Sequence, residues 1–141
     1  MKKENKVLVV GNGGREHAFT WKLSQSKYVK KIYVAPGNAG TETEEKTVNV
    51  NINSSDISSL LSFAQKEAID LAIIGPENPL VNGIVDSFTR NGIKCFGPTA
   101  DAAQLEGSKA YAKEFMKKYS IPTAEYKVFS DHNTAKEYLK D

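Results

Sequence analysis

Short apolar runs that break off at glycine, separated by stretches with helical spacing, constrain this chain more than any other feature. Val7–Val10 (VLVV) stops at Gly11-Asn12-Gly13-Gly14, and Ile32–Ala35 (IYVA) stops at Pro36-Gly37. Asp70–Ile74 (DLAII) stops at Gly75-Pro76, and Ile93–Phe96 (IKCF) at Gly97-Pro98. Such runs read as buried strands, because both faces of each must be apolar. Between them, Ala18, Trp21 and Lys22 open a helical pattern. Ile57, Leu60, Leu61, Ala64 and Ala68 share one helix face behind a cap at Ser54 or Ser55, and Ile84, Val85 and Phe88 form a short helix closed by Gly92. The alternation predicts an α/β fold, a parallel sheet with helices on both faces. Ligands of such sheets bind beyond the carboxyl ends of the strands, so the loops after Val10 and Ile74 are expected to converge on one crevice.

The first loop suits an anion. Glycines let the backbone approach closely, and the N–H groups and dipole of the following helix favour negative charge. Phosphate is the expected ligand type. A dinucleotide fingerprint needs a third glycine where Glu16 stands, and an acidic residue at the tip of the second strand, which ends Ala35-Pro36-Gly37. Both departures speak against a nicotinamide cofactor, and no G-x-x-x-x-G-K-[ST] loop is present.

Arg15 follows the glycines in a chain whose only other arginine is Arg90, and a guanidinium matches phosphate or carboxylate in two-pronged fashion. A solvated residue at the helix start is the competing reading of Arg15. Glu16 reads as a first-turn acid and His17 as a structural histidine. In Gly75-Pro76-Glu77-Asn78-Pro79-Leu80-Val81 the prolines prevent strand continuation, and the rigid backbone could hold Glu77 over the crevice or merely turn into the next helix. Pro36-Gly37-Asn38-Ala39-Gly40 is a third loop that could wall the site or be a simple turn.

Composition excludes several classes. Nineteen basic against seventeen acidic residues give a net charge of +2, and the lysines are scattered, so nucleic acid is not an expected partner. A single cysteine, Cys95, allows no internal disulfide or cysteine-based zinc site, and its place in an apolar run reads as a buried thiol. No metal site is expected within the chain. The start MKKENK leads into only four apolar residues, and no run approaches membrane-spanning length, so a soluble cytoplasmic protein is expected.

Four blocks, VLVVGNGGREHAFTWKL, YVAPGNAGT, IIGPENPLVNGIVD and CFGPTADAAQLEGSKAYAKEFMKKYSIPTAEY, resemble in order the amino-terminal part of the phosphoribosylamine-glycine ligase family, also called glycinamide ribonucleotide synthetases. The resemblance runs from Lys6 to about Tyr126. It implies a Rossmann-like N-domain at residues 1–106, the pre-ATP-grasp unit, followed at 107–141 by a linker helix and the start of an ATP-grasp domain. It also implies the family's reaction in de novo purine biosynthesis. ATP and Mg²⁺ activate the glycine carboxylate as an acyl phosphate, and the amine of 5-phosphoribosylamine attacks it, giving glycinamide ribonucleotide, ADP and phosphate. By motif match, Gly11, Asn12, Gly13, Gly14, Arg15 and Glu16 would line the phosphoribosylamine site, with Gly37, Asn38, Gly75, Glu77, Pro79 and Leu80 opposite. Lys109 matches the lysine that reaches the ATP phosphates, and no residue is assigned a catalytic role.

In the second part, Ser108 can cap a helix carrying Ala112, Phe115, Met116 and Tyr119 on one side. Glu125–Phe129 reads as a strand, and Ser130-Asp131 as a cap before a helix through Ala135–Leu139. Family members continue through the ATP clamp and metal-binding carboxylates. The chain therefore reads as a fragment, inactive as a ligase without the remaining segments. The alternatives are a non-catalytic phosphoribosyl-binding module paired with a separate partner, and a dinucleotide-binding domain.

Overall fold

The computed structural model describes residues 4–140, so the basic start and the terminal Asp141 lie outside the described residues. The chain divides into two compact units, one ending at Ala103 and the other beginning at Gln104.

In the first unit, β1 (Asn5–Gly11) is the middle of a five-stranded parallel sheet. On one side it pairs with β2 (Val29–Pro36), which pairs with β3 (Thr47–Asn49). On the other it pairs with β4 (Leu71–Ile74), which pairs with β5 (Cys95–Phe96). The order is therefore β3-β2-β1-β4-β5, which reverses direction at β1, and the loops after β1 and β4 flank that switch point.

Alternation along β1 sends its residues to two cores. Val7 and Val9 pack with Ile32, Val34 and Ile73 beneath Phe19 and Leu23 of helix α1 (Gly14–Ser24). Leu8 and Val10 pack with Leu60 and Ala64 of helix α3 (Ile57–Lys66) and with Ile84, Val85 and Phe88 of helix α5 (Ile84–Arg90). Both faces of the sheet are thus covered, which is why its strands read as continuous apolar runs. Two short helical turns complete the unit, α2 (Ala39–Glu42) after β2 and α4 (Glu77–Val81) after β4. Helix α6 (Ala100–Gly107) contains the division between units, and Asp86 accepts from the Ala100 N–H at 2.8 Å at its start.

Several local expectations are corrected. Helix α1 turns Glu16, Thr20 and Ser24 inward, together with Phe19 and Leu23, while Trp21 is 52% exposed; the small side chains let the helix lie close to the sheet. The cap of α3 is Asp56, whose carboxylate accepts from the Ser59 N–H at 3.0 Å, not Ser54 or Ser55. Ser55 instead donates its N–H to Asn53 in the preceding turn. Ala68 lies beyond α3 at a φ of +52°, in the reversal that leads into β4. Strand β5 is only Cys95–Phe96: Lys94 O still accepts from the Ala72 N–H of β4 at 2.8 Å, but the Ile93 N–H closes onto Phe88 O at the end of α5.

In the second unit, Ser108 caps helix α7 (Lys109–Lys118), accepting from the Tyr111 N–H at 3.3 Å. Asp131 caps helix α8 (His132–Tyr138), accepting from the Thr134 N–H at 2.9 Å. Glu125–Phe129 forms no strand. A strand needs a neighbour for its backbone groups, and the described residues supply none there.

Candidate functional site

Gly11 ends β1 at a φ of +130°, a conformation that favours glycine. The chain then turns through Asn12 and Gly13 into α1. Gly13 stands at the cap position, where it offers no side-chain acceptor to the first turn, so the amides of Gly14 and Arg15 face outward at the positive end of an eleven-residue helix. Glu16 braces the loop from beneath. It is 5% exposed, and its Oε2 accepts from the Gly13 N–H at 2.6 Å. A Cβ at Gly11 would lie 2.6 Å from Glu16 Cγ, and one at Gly75 would collide with Glu16 Oε1. The glycines of two loops therefore make room for one buried carboxylate. This is where a dinucleotide loop has its third glycine, and a larger, charged side chain has taken over the packing role.

Arg15 joins the first loop to the loop after β4. Its Nη1 donates to Gly75 O at 2.8 Å, and its Nη2 lies 3.5 Å from Glu77 Oε1. The guanidinium remains 56% exposed, so the ion pair leaves donors for a ligand. Loop one from Asn12 to Glu16, with Gly75, Pro76 and Glu77, encloses an open cleft of about 320 Å³. The loop after β2 closes against it. Gly37 donates its N–H to Gly11 O at 3.1 Å, and Asn38 Nδ2 donates to Asn12 O at 2.9 Å.

Of the residues singled out in the sequence, Gly11 to Glu16, Gly37, Asn38, Gly75 and Glu77 are thus gathered by direct contacts. Pro79 and Leu80 are not part of the cleft wall; they are buried in α4, and Leu80 belongs to the core. Lys109 is an exposed first-turn residue of α7 in the second unit. His17 has a structural partner, Glu44 Oε1 at 2.9 Å from its Nε2. Cys95 is held far from reactivity, since burial pushes its thiol up to about 12. Residues missed in the sequence are Thr41 and Asn49, which hold the loop after β2. The Asn38-x-x-Thr41 spacing of a capping box could have signalled Thr41, whereas no local pattern signals Asn49, which is brought near by β2–β3 pairing.

A parallel sheet covered on both faces, with three strand-end loops gathered at its carboxyl edge, defines the class: an α/β domain with its cleft at the switch point of the sheet. The biotin carboxylase domain of Hydrogenobacter thermophilus 2-oxoglutarate carboxylase shares this fold at a TM-score of 0.70 and 19% identity, over 99% of this chain and 33% of that one. The chain belongs to the family described as phosphoribosylglycinamide synthetase, N domain, whose model matches residues 5–106; the model for the ATP-grasp (A) domain of the same enzyme matches residues 107–141. The phosphoribosylamine–glycine ligase of Escherichia coli K12 is 58% identical over 96% of this chain, and that of Clostridium acetobutylicum 53% over the same share. The solved ligase from Thermotoga maritima superposes at a TM-score of 0.64 with 31% identity, covering 96% of this chain and 30% of that one. The chain spans about a third of the length of the curated relatives it matches, 32% in each of these two cases.

Proposed function

We propose that this chain provides the phosphoribosylamine-binding part of a phosphoribosylamine–glycine ligase, an enzyme of purine biosynthesis acting in the cytoplasm. The observation that carries this reading is the start of α1, whose cap residue Gly13 has no side chain to occupy the first amides, beside Arg15 at the convergence of three strand-end loops. The Gly14 and Arg15 amides and the guanidinium supply donors and positive charge for the 5-phosphate. Glu77, on the opposite lip, supplies an acceptor for ribose hydroxyls or the amine. The names of the relatives support the substrate, and the described residues include no helix long and apolar enough to cross a membrane.

The complete reaction joins glycine to 5-phosphoribosylamine with hydrolysis of ATP to ADP and phosphate. Lys109, exposed and positively charged at the start of α7, is proposed to meet the ATP phosphates. Mg²⁺ does not fit the described residues, among which no group of three or more His, Cys, Asp or Glu side chains is disposed to hold a metal ion. We therefore assign this chain substrate binding and orientation, with glycine activation left to the segments that the ligases carry beyond the matched third.

Ribose 5-phosphate, a stable mimic of the substrate's charged end, tests the reading. Isothermal titration should show saturable binding, and Arg15→Ala should weaken it by roughly tenfold or more, the loss of a charge-assisted hydrogen bond of about 1.5–3 kcal/mol. Equal affinity of the two chains would remove Arg15 from the site.

A further inference from the structure

We infer that Thr41 and Asn49 are positioning residues for the candidate site, acting through Asn38 on the loop that presents the α1 amides. The inference rests on the anion-site reading above. Neither residue lines the cleft. Thr41 is fully buried in α2, and Asn49 ends β3, the sheet's edge strand.

Their hydrogen bonds form a closed ring. The Asn38 N–H donates to Thr41 Oγ1 at 2.8 Å. The Thr41 hydroxyl has one proton and two acceptors in reach, Asn49 Oδ1 at 2.7 Å and Asn38 O at 2.9 Å. Asn38 O already accepts from Asn49 Nδ2 at 2.8 Å, which leaves Asn49 Oδ1 as the better acceptor for the Thr41 proton. The Asn38 backbone is thus gripped on both its N–H and its carbonyl. Its side chain is gripped as well, since Oδ1 accepts from the N–H groups of Gly40 at 2.8 Å and Thr41 at 3.0 Å.

Every freedom of Asn38 is used up before its remaining group, Nδ2, reaches the first loop. That group donates to Asn12 O at 2.9 Å and lies 3.4 Å from Gly13 O. These two carbonyls belong to the peptide units that lead into Gly13 and Gly14, so holding them sets the direction of the Gly14 N–H. The ring fixes in advance an orientation that a free glycine loop would have to adopt on binding, at a cost in backbone entropy. The chemistry is that of a preorganised oxyanion site, with its rigidity supplied from α2 and β3.

Titration of ribose 5-phosphate into purified chains tests this, with thermal melting to establish that each variant is folded. Thr41→Val and Asn49→Ala should each weaken binding by about tenfold, equivalent to about 1.4 kcal/mol. Thr41→Ser, which keeps the hydroxyl, should bind within about twofold of wild type, a rescue that a purely volumetric role for Thr41 does not predict. Asn49→Leu, which removes the donor to Asn38 O and the acceptor of the Thr41 proton without adding charge, serves in place of Thr41→Val should that chain not fold, and it too should bind about tenfold more weakly. Folded variants that bind as wild type does would overturn the inference. Failure of the wild-type chain to bind would instead remove the anion-site reading. The ring is then judged by amide exchange at Asn38 and Gly13, whose N–H groups are held by Thr41 Oγ1 and Glu16 Oε2 and should exchange faster in Asn49→Ala; unchanged exchange would overturn the inference.

Discussion

Glu16 and Gly75 show how a single side chain can decide what a loop is for. A glutamate at the third glycine's place argues against a dinucleotide, and the structure gives the physical counterpart: the carboxylate fills the space between two loops and takes the Gly13 N–H. Gly75→Ala would drive a methyl group into Glu16 Oε1, and the carboxylate can withdraw only by giving up that hydrogen bond. Overpacking of this kind costs roughly 1–3 kcal/mol, to be read from the urea midpoint at constant slope. A Gly75→Ala chain as stable as wild type would mean that Glu16 steps aside freely. The role of Glu16 was only half legible in the sequence, which marked it as a first-turn acid but not as one buried beneath a glycine 59 positions away, a neighbour supplied by β1–β4 pairing.

Elements are stabilised at their ends and tied to one another by a few polar contacts. Asp56→Ala should cost about 1 kcal/mol through loss of the α3 cap, with Ser54→Ala and Ser55→Ala near neutral. Denaturation of the three variants checks the assignment. The other end of α3 is tied to the sheet by Glu67, which accepts from the Tyr33 hydroxyl of β2 at 2.8 Å and lies 3.5 Å from Lys6 Nζ of β1. The Tyr33 hydrogen bond, assisted by Lys6 and opposed by desolvation, holds the Glu67 carboxyl below its ordinary value of 4.5. A depressed carboxyl contributes stability that is complete above the unfolded-state value and is lost as pH falls through the lower, folded-state one. Stability should therefore fall with pH below about 4.5 more steeply in wild type than in Glu67→Gln, as urea midpoints across that range would report. Parallel curves would dismiss the Tyr33–Glu67 tie. Helices with a wide apolar face, α3 and α5, were legible from spacing. Strand β3 was not, because three edge residues with Val48 41% exposed carry no apolar run.

Across the whole molecule, the two units differ in what holds them. The first has apolar clusters on both faces of its sheet, with Leu8, Ile32, Leu60 and Phe88 fully buried. Among the described residues of the second, from Gln104 to Lys140, none is buried. Helix α7 spans ten residues, short of the roughly 12–15 at which an isolated helix becomes even marginal in water. Tyr111, Phe115 and Tyr119 line up along it, with ring centroids 6.5 and 4.6 Å apart in succession, a contact that offsets only part of the ordering entropy. Native-state hydrogen exchange should therefore rank the units: amides of β1 and β4 exchanging only by global unfolding, those of α7 and α8 by local opening at far lower free energy. Equal protection in both would show that the second unit is stabilised beyond what its own contacts provide. The strand expected at Glu125–Phe129 belongs to the same account, since alternation can mark a segment as strand-competent without providing the neighbour it must pair with.

The amino-acid order was sufficient for the α/β class, the glycine loop after β1, the absence of a nicotinamide fingerprint and the family, because each is written in short local patterns, read singly or in their order along the chain. Local steric and hydrogen-bonding rules act over a few residues and leave their mark there. Only the folded chain decided that Arg15 reaches Gly75, that Glu16 is buried, that Pro79 and Leu80 belong to the interior, and that Asn49 holds the loop that braces the first one. Those facts depend on strand register and on which residues parallel pairing brings side by side. Sequence distance does not encode that proximity; packing of the two apolar faces of the sheet does.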